Sequence, residues 1–308
     1  MRVGLIVDSA CDLPYEFSRK HDLFVLPVTA VIDGQTYIDE HDPVRTQEFY
    51  QSGLLQKGHH AETHAFSAEQ IHDLFMEKIV TEFDIAICET VTRSRSLIFQ
   101  NATEAMNSVM GHYHEARHAA GREGKFAMRV IDSKQIFAGQ GLLAAHTLRL
   151  IEQKLSKNAL RNEVDTFTDK IYTCVIPRDL HYSRERARRR GEKSVSALVA
   201  FPGKALNITP VIFGQGAEGQ PAAKTRSFDM AVEKVMNYAT ARVEAGLLTP
   251  YVSLSCGLTW TEIEDLPGLN RLRDACEKNG VELLLSQMGI TSSIYIGPGS
   301  LCLALAAE

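Results

Sequence analysis

Hydroxyl and carboxylate side chains gather in this chain where apolar runs stop. The run Val3 to Val7 ends in Asp8-Ser9, and Val130-Ile131 ends in Asp132-Ser133. Between them come Thr63, Ser67, Thr92, Ser94 and Ser96, on stretches that read as loops after strands. Ser96 lies just ahead of a helical pattern, where free backbone amides and the helix dipole favour an anion. A carboxylate or a phosphate suits such a place, with Arg226 or Arg93 to complete the charge pairing. The plainer reading is that these side chains satisfy turn and cap amides.

Other chemistries find less support in the residue pattern. A serine nucleophile needs a base and an orienting acid, and no G-x-S-x-G elbow is present. Asp8 or Asp132 is left as the base of an acyl or phosphoryl transferase or hydrolase, kept as an alternative. His59, His60 and His64 share one loop, and His114 and His118 have helical spacing. No H-E-x-x-H follows, so these read as a solvated face and no metal is expected. Gly139-Gln140-Gly141 lacks the third glycine and the acid of a dinucleotide fingerprint, and no Walker sequence occurs. The basic run Arg184 to Arg190 reads as an exposed helix face. As a docking surface, it would instead contact nucleic acid or an acidic partner.

The elements that must position these groups alternate. A buried strand at Val3 to Val7 leads to a helix for which Asp12 is a candidate cap. Leu23 to Ile32 reads as a strand, and Asp33-Gly34 as a hairpin turn into Gln35–Ile38. Asp42 caps a helix, His59 to Ser67 reads as a polar loop, and Ser67 with Gln70 forms a capping box for a helix to Val80. Phe83 to Cys88 is a strand, followed by a helix to Val109 and a charged connector from Gly111 to Lys125. Met128 to Asp132 is a strand, and a helix runs from Gly139 to Leu155. Such alternation implies right-handed crossovers and a parallel sheet.

The second half reads as α+β. Strands are expected at Ile171–Ile176, 206–213, through Lys224-Thr225-Arg226, at Tyr251–Ser255 and Val281–Leu285, and over Ile294–Ile296 with a final strand after Gly299. Helices are expected at 180–190, Phe228–Ala245 and Glu262–Asn279. A boundary near residue 160, in the polar stretch Ser156 to Asp165, divides the chain into an N-terminal parallel α/β domain, 1–160, and a C-terminal α+β domain, 161–308.

At 308 residues and 44% hydrophobic content, the chain can bury a large core. A net charge of −5 gives no general attraction to nucleic acid or anionic membranes. Its six scattered cysteines hold no CxxC pair and read as reduced core residues. No leader sequence or bilayer-length apolar run is visible, so a cytoplasmic location is expected, without stable membrane insertion.

Over its full length the chain resembles the DegV family of fatty-acid-binding proteins. Val7-Asp8-Ser9-Ala10-Cys11-Asp12-Leu13-Pro14 is similar to the family's strand followed by T-D-S-x-x-D-L. Leu26-Pro27-Val28, Asp33-Gly34 with Tyr37 and Asp39, and Phe49-Tyr50 follow in family order. So do Val130 to Ser133 with Gly139 and Gly141, Asn207-Ile208 with Pro210, and Gly297-Pro298-Gly299. The resemblance implies a two-domain DegV-like carrier rather than an enzyme. One long-chain fatty acid would lie in an apolar tunnel with its carboxylate between the domains, for a dihydroxyacetone-kinase-like enzyme to phosphorylate. It also implies that Thr63, Ser96 and Arg226 hold the carboxylate. Asp8, Ser9, Ser94, Ser133 and Ser255 are expected in the same cleft. A lipid-responsive regulatory protein docking through Arg184 to Arg190 is kept as an alternative. The chain departs from the family at Leu97, which replaces a glycine. Ser255 or Cys256 stands where the family has one histidine, and Tyr295 where it has another. The usual G-G-R-I is missing from Arg184 to Ser196.

Overall fold

The computed structural model describes residues 2–54, 60–189, 208–216 and 218–308. Its first sheet is built from short, mostly branched runs: β1 (Val3–Asp8), β2 (Phe24–Leu26), β6 (Ile85–Thr90) and β7 (Ala127–Asp132). They lie in the order β2-β1-β6-β7, all parallel. The register pairs Val7 with Glu89 and Thr90 with Asp132, so the carboxyl ends of β1, β6 and β7 finish side by side. Helices α1 (Tyr15–Lys20) and α4 (Ile98–Ala119) make two of the crossovers. Between β2 and β6 come α2 (Pro43–Gln51), a small sheet, and α3 (Ala68–Leu74), which continues as a π-helical turn at Phe75–Ile79.

The small sheet corrects the sequence reading twice. The apolar run from Leu23 is not one strand. Pro27 has no N–H to give to a ladder, and there the chain leaves β2 and enters β3 (Val28–Ile32) of an antiparallel sheet ordered β4-β3-β5. β4 (Gln35–Asp39) returns through the Asp33-Gly34 turn, where both residues have positive φ, as a type I′ turn requires. The supposed polar loop is β5 (Ala61–Ala65), which pairs with β3 and alternates inward Ala61 with outward Glu62. His59 lies outside the described residues.

The second sheet runs β10-β9-β8-β13-β11-β12. It comprises β8 (Ile171–Ile176), β9 (Thr209–Gln215), β10 (Glu218–Thr225), β11 (Tyr251–Cys256), β12 (Glu282–Gln287) and β13 (Leu301–Ala306). β13 sits in the middle, antiparallel to β8 and β11, with every residue buried. One face is covered by α8 (Phe228–Ala245) and α10 (Leu269–Lys278). Leu206, Asn207 and Arg190 lie outside the described residues.

Four helical segments also differ from expectation. α4 runs on to Ala119, because Gly111 is exposed on it with open space around and does not stop it. Lys157–Thr168, in the polar stretch that holds the expected boundary, is α6, capped by Ser156. Pro267-Gly268 splits the helix expected at 262–279 into α9 (Trp260–Glu264) and α10. Ile290–Ile296, read in part as a strand, is helix α11 between Gly289 and Gly297. Its β-branched residues favour extended chain, but Ile290 and Ile294, one turn apart, pack on Ala30, Ile32, Phe49 and Ala61. Tertiary burial overrides propensity there.

The fold is thus a parallel sheet flanked by helices plus a second sheet domain. α5 (Ala138–Glu152) lies between the two sheets, buried on almost every side. Its Leu142, Leu143 and Leu148 share one apolar cluster with Leu5, Val7 and Ile131 of the first sheet and Ile171, Val175 and Ala304 of the second. The close approach explains its glycines. A β-carbon on Gly141 would lie 2.2 Å from the Asp12 carbonyl oxygen. Gly141→Ala is expected to cost about 3 kcal/mol in urea unfolding. Gly111→Ala, in open space on α4, should instead stabilise by about 0.5–1 kcal/mol.

Candidate functional site

The first loop is tied down by buried carboxylates. Asp8 Oδ1 accepts from the Ala10 amide (2.9 Å) and Oδ2 from the Val91 amide (2.6 Å), which staples the end of β1 to the loop after β6. Burial raises the Asp8 carboxyl to about 6, against the pull of those two amides. Asp132 does the same for β7. Its Oδ1 accepts from the Arg93 (3.2 Å) and Lys134 (3.0 Å) amides, and its Oδ2 pairs with Arg93 Nε at 3.2 Å. Both aspartates considered as bases therefore work as turn staples.

Asp12 is a correction. It does not cap α1, whose N-cap is Pro14 without a side-chain bond. Its buried carboxylate crosses to the other sheet, where Oδ2 accepts from Ser255 Oγ (2.6 Å). Oδ1 accepts from the Gly289 amide and Ser292 Oγ (both 3.0 Å). Asp39 Oδ2 accepts from the Thr291 amide at 2.7 Å. His41 stands between the carboxylates and bonds the Ser9 carbonyl through Nε2 at 2.6 Å. Burial lowers its pKa, but Asp39 and Asp12 outweigh this and raise it.

Against these anchors lies a cavity of about 460 Å³, within the range of small-molecule sites. The loops after β1, β6 and β7, strand β5 and helix α11 all contribute to its wall. It brings together Asp8, Thr63, Ser94 and Ser96 of the expected residues. Ser96 Oγ accepts from the Ile98 amide at 3.2 Å, and Ser94 Oγ lies 3.2 Å from Thr92 Oγ1.

Four expected residues are not part of this wall. Ser9 Oγ accepts from the Val28 amide (3.0 Å) and donates to the Asp39 carbonyl, replacing the ladder that Pro27 interrupts. Ser133 Oγ accepts from the Gln135 amide at 3.1 Å. Ser255 is spent on Asp12. Arg226 is exposed between β10 and α8.

Sequence reasoning missed the residues that complete the wall. Arg95 donates from Nη1 to the Tyr295 hydroxyl at 2.7 Å, so a guanidinium and a phenol meet at the cavity. Thr291, one turn before Tyr295, is buried with a hydroxyl that has no hydrogen-bond partner among the described residues. Phe137 holds φ 49°, strained for a residue with a β-carbon, and sets its buried ring against Tyr295. The available signals were the second arginine of Arg93-Ser94-Arg95-Ser96 and the four-residue spacing of Thr291 and Tyr295. Small and apolar side chains (Ala10, Val28, Ala65, Val91, Ile136) cover the inner side.

The basic helix α7 (Leu180–Arg189) is not wholly solvated. Arg186 is buried, donates to the Ala61 carbonyl and stacks over Tyr182. Among the described residues, no group of His, Cys, Asp or Glu could hold a metal ion, and no helix is long and apolar enough to cross a membrane.

Two sheets bracket a buried helix, and one cavity wall combines hydroxyls and a guanidinium with apolar side chains. A model described as "Uncharacterised protein, DegV family" matches residues 2–308, and the chain belongs to the DegV family. It is 39% identical, over 100% of its own length and 98% of the relative's, to a DegV domain-containing protein of Xanthomonas axonopodis pv. citri. It is 22% identical, over 97% and 96% of the two chains, to a protein of Thermotoga maritima named fatty acid-binding protein. Its fold matches a crystal structure from Eubacterium ventriosum described as a stearic acid-binding protein. There the TM-score is 0.81 at 22% identity, covering 99% of this chain and 98% of that one.

Glu89, near the end of β6, is fully buried. Thr147 donates to its Oε1, and its Oε2 has no partner among the described residues. Burial, only partly opposed by Thr147, raises this carboxyl to about 8. Between the ordinary glutamate range and 8, the folded state holds a proton that the unfolded state has released, so stability falls as pH rises. From pH 5 to 8 the wild type is expected to lose on the order of 3 kcal/mol relative to Glu89→Gln in urea melts. Parallel pH profiles would contradict this.

Proposed function

We propose that this chain binds one long-chain fatty acid and presents it to a separate enzyme. The carboxylate lies against Thr63, Ser96, Thr291 and the Arg95 guanidinium. The acyl chain runs inward along Ala10, Val28, Ala65, Val91, Ile136 and Phe137. The observation that carries this reading is the buried Thr291 hydroxyl, without a partner among the described residues, on a wall that also holds Ser96 and the Arg95–Tyr295 pair. An unanswered buried hydroxyl costs about 1–3 kcal/mol, and an anionic head group would relieve it.

The tail supplies most of the affinity, at about 0.8 kcal/mol per buried CH₂. The relatives named for fatty acid binding support the ligand class. Arg95 takes the role that the family resemblance gave to Arg226. The exposed side chains of Arg93 and Leu97 at the head-group end leave it within reach of a partner, a dihydroxyacetone-kinase-like enzyme in this reading. With Asp8 and Asp132 holding backbone amides, the chain carries the acid rather than transforming it.

Calorimetric titration of delipidated protein with stearate tests the head group. Arg95→Leu and the double change Ser96→Ala with Thr291→Val should each weaken binding about tenfold or more. Arg226→Leu should leave affinity within about twofold. The reverse ranking would return the head group to the second domain and refute this assignment. Across saturated acids, affinity should rise about fourfold per added CH₂ until the cavity is filled.

A further inference from the structure

A second cavity, of about 280 Å³, opens where the first loop meets α2 and the end of β12. Its walls include Leu13, Pro14, Tyr15, Pro43 and Trp260. Tyr15 and Trp260 are 42% and 47% exposed, and Val44, beside Pro43, is 63% exposed. Large apolar side chains left together in water mark interaction sites.

The floor is polar. Ser286 is 2% exposed, and its hydroxyl has no hydrogen-bond partner among the described residues. Glu16 brings an exposed carboxylate to the same wall. Glu40 and Asp42 flank His41 in sequence, and Glu262 follows Trp260 by two residues; all three are exposed. The basic neighbours are Arg45, exposed on α2, and Arg19, which lies over the Tyr15 ring. The His41 ring, also on this wall, is answered from behind by Asp39 and Asp12.

We propose that this opening is a docking pocket for an arginine side chain presented by an exposed segment of a protein partner. The apolar walls suit the aliphatic stem. A planar guanidinium stacks on aromatic faces, donates to the Ser286 hydroxyl and pairs with Glu16, combinations that a lysine ammonium meets less well. The volume falls below the roughly 300–1,000 Å³ of sites that enclose whole small molecules, and it matches a single anchor residue at an interface.

Trp260 is the chain's one tryptophan, so its emission reports on this opening. Titrating the full chain with the peptide acetyl-Leu-Arg-Pro-amide is expected to change that emission saturably. Glu16→Gln and Ser286→Ala should each raise the peptide Kd about fivefold or more, with stearate affinity unchanged. Should Ser286→Ala fail to fold, Glu16→Gln alone decides. The proposal is overturned by the absence of a saturable response or by equal peptide affinity in the variants. It is also overturned by an equal response to acetyl-Leu-Leu-Pro-amide, or by a response to phosphatidylglycerol vesicles and not to the peptide.

Discussion

A carboxylate taken wholly out of water has to be answered by donors, and Asp12 finds its donors on the far side of the molecule. Ser255, Ser292 and the Gly289 amide all give it a hydrogen, so one side chain of the first loop holds the end of β11 and the start of α11. Asp39 repeats the device with the Thr291 amide. Breaking such a buried set by removing one partner leaves polar groups stranded, at several times the net worth of each bond. The placement of α11, and everything it displays, follows from these contacts.

What α11 displays is part of the wall of the 460 Å³ cavity. Its helical period sends Ile290 and Ile294 into the small sheet while Thr291 and Tyr295 line the cavity. From the opposite side, the staples made by Asp8 and Asp132 fix the loops that carry Ser96 and Arg95. α5 keeps both sheets at the required spacing, which is why Gly141 has room for no side chain. The backbone that carries the cavity hydroxyls is held by carboxylates, through the Val91, Arg93 and Thr291 amides.

The first sheet was legible because β1 and β6 are buried on both faces and β1 and β7 end at turn-forming aspartates, a pattern that depends only on local burial. The capping box at Ser67 and the Asp33-Gly34 turn were legible for the same local reason. The three-stranded sheet was not, since β5 alternates small and polar residues and only its pairing with β3 makes it a strand. Asp8, Ser94 and Ser96 could be named from their positions at or after strand ends, and Thr63 from the family resemblance, although it lies within β5. Ser9, Ser133 and Ser255 have the same chemistry but spend it on backbone amides and on Asp12, a distinction set by contacts distant in sequence. Thr291 and the Arg95–Tyr295 pair went unnoticed because their placement depends on α11 being a helix, and its β-branched residues argue locally for a strand.

The central claim is that a fatty carboxylate is held as an ion by Arg95, Ser96, Thr63 and Thr291. Carbon-13 NMR of stearate labelled at the carboxyl, bound to the delipidated chain, reads that carbon directly. The account predicts one resonance in slow exchange, distinct from free stearate, that keeps its ionised shift well below the pH at which the free acid titrates and is lost in Arg95→Leu. A bound resonance that titrates like free stearate, or that is untouched by Arg95→Leu, would contradict it.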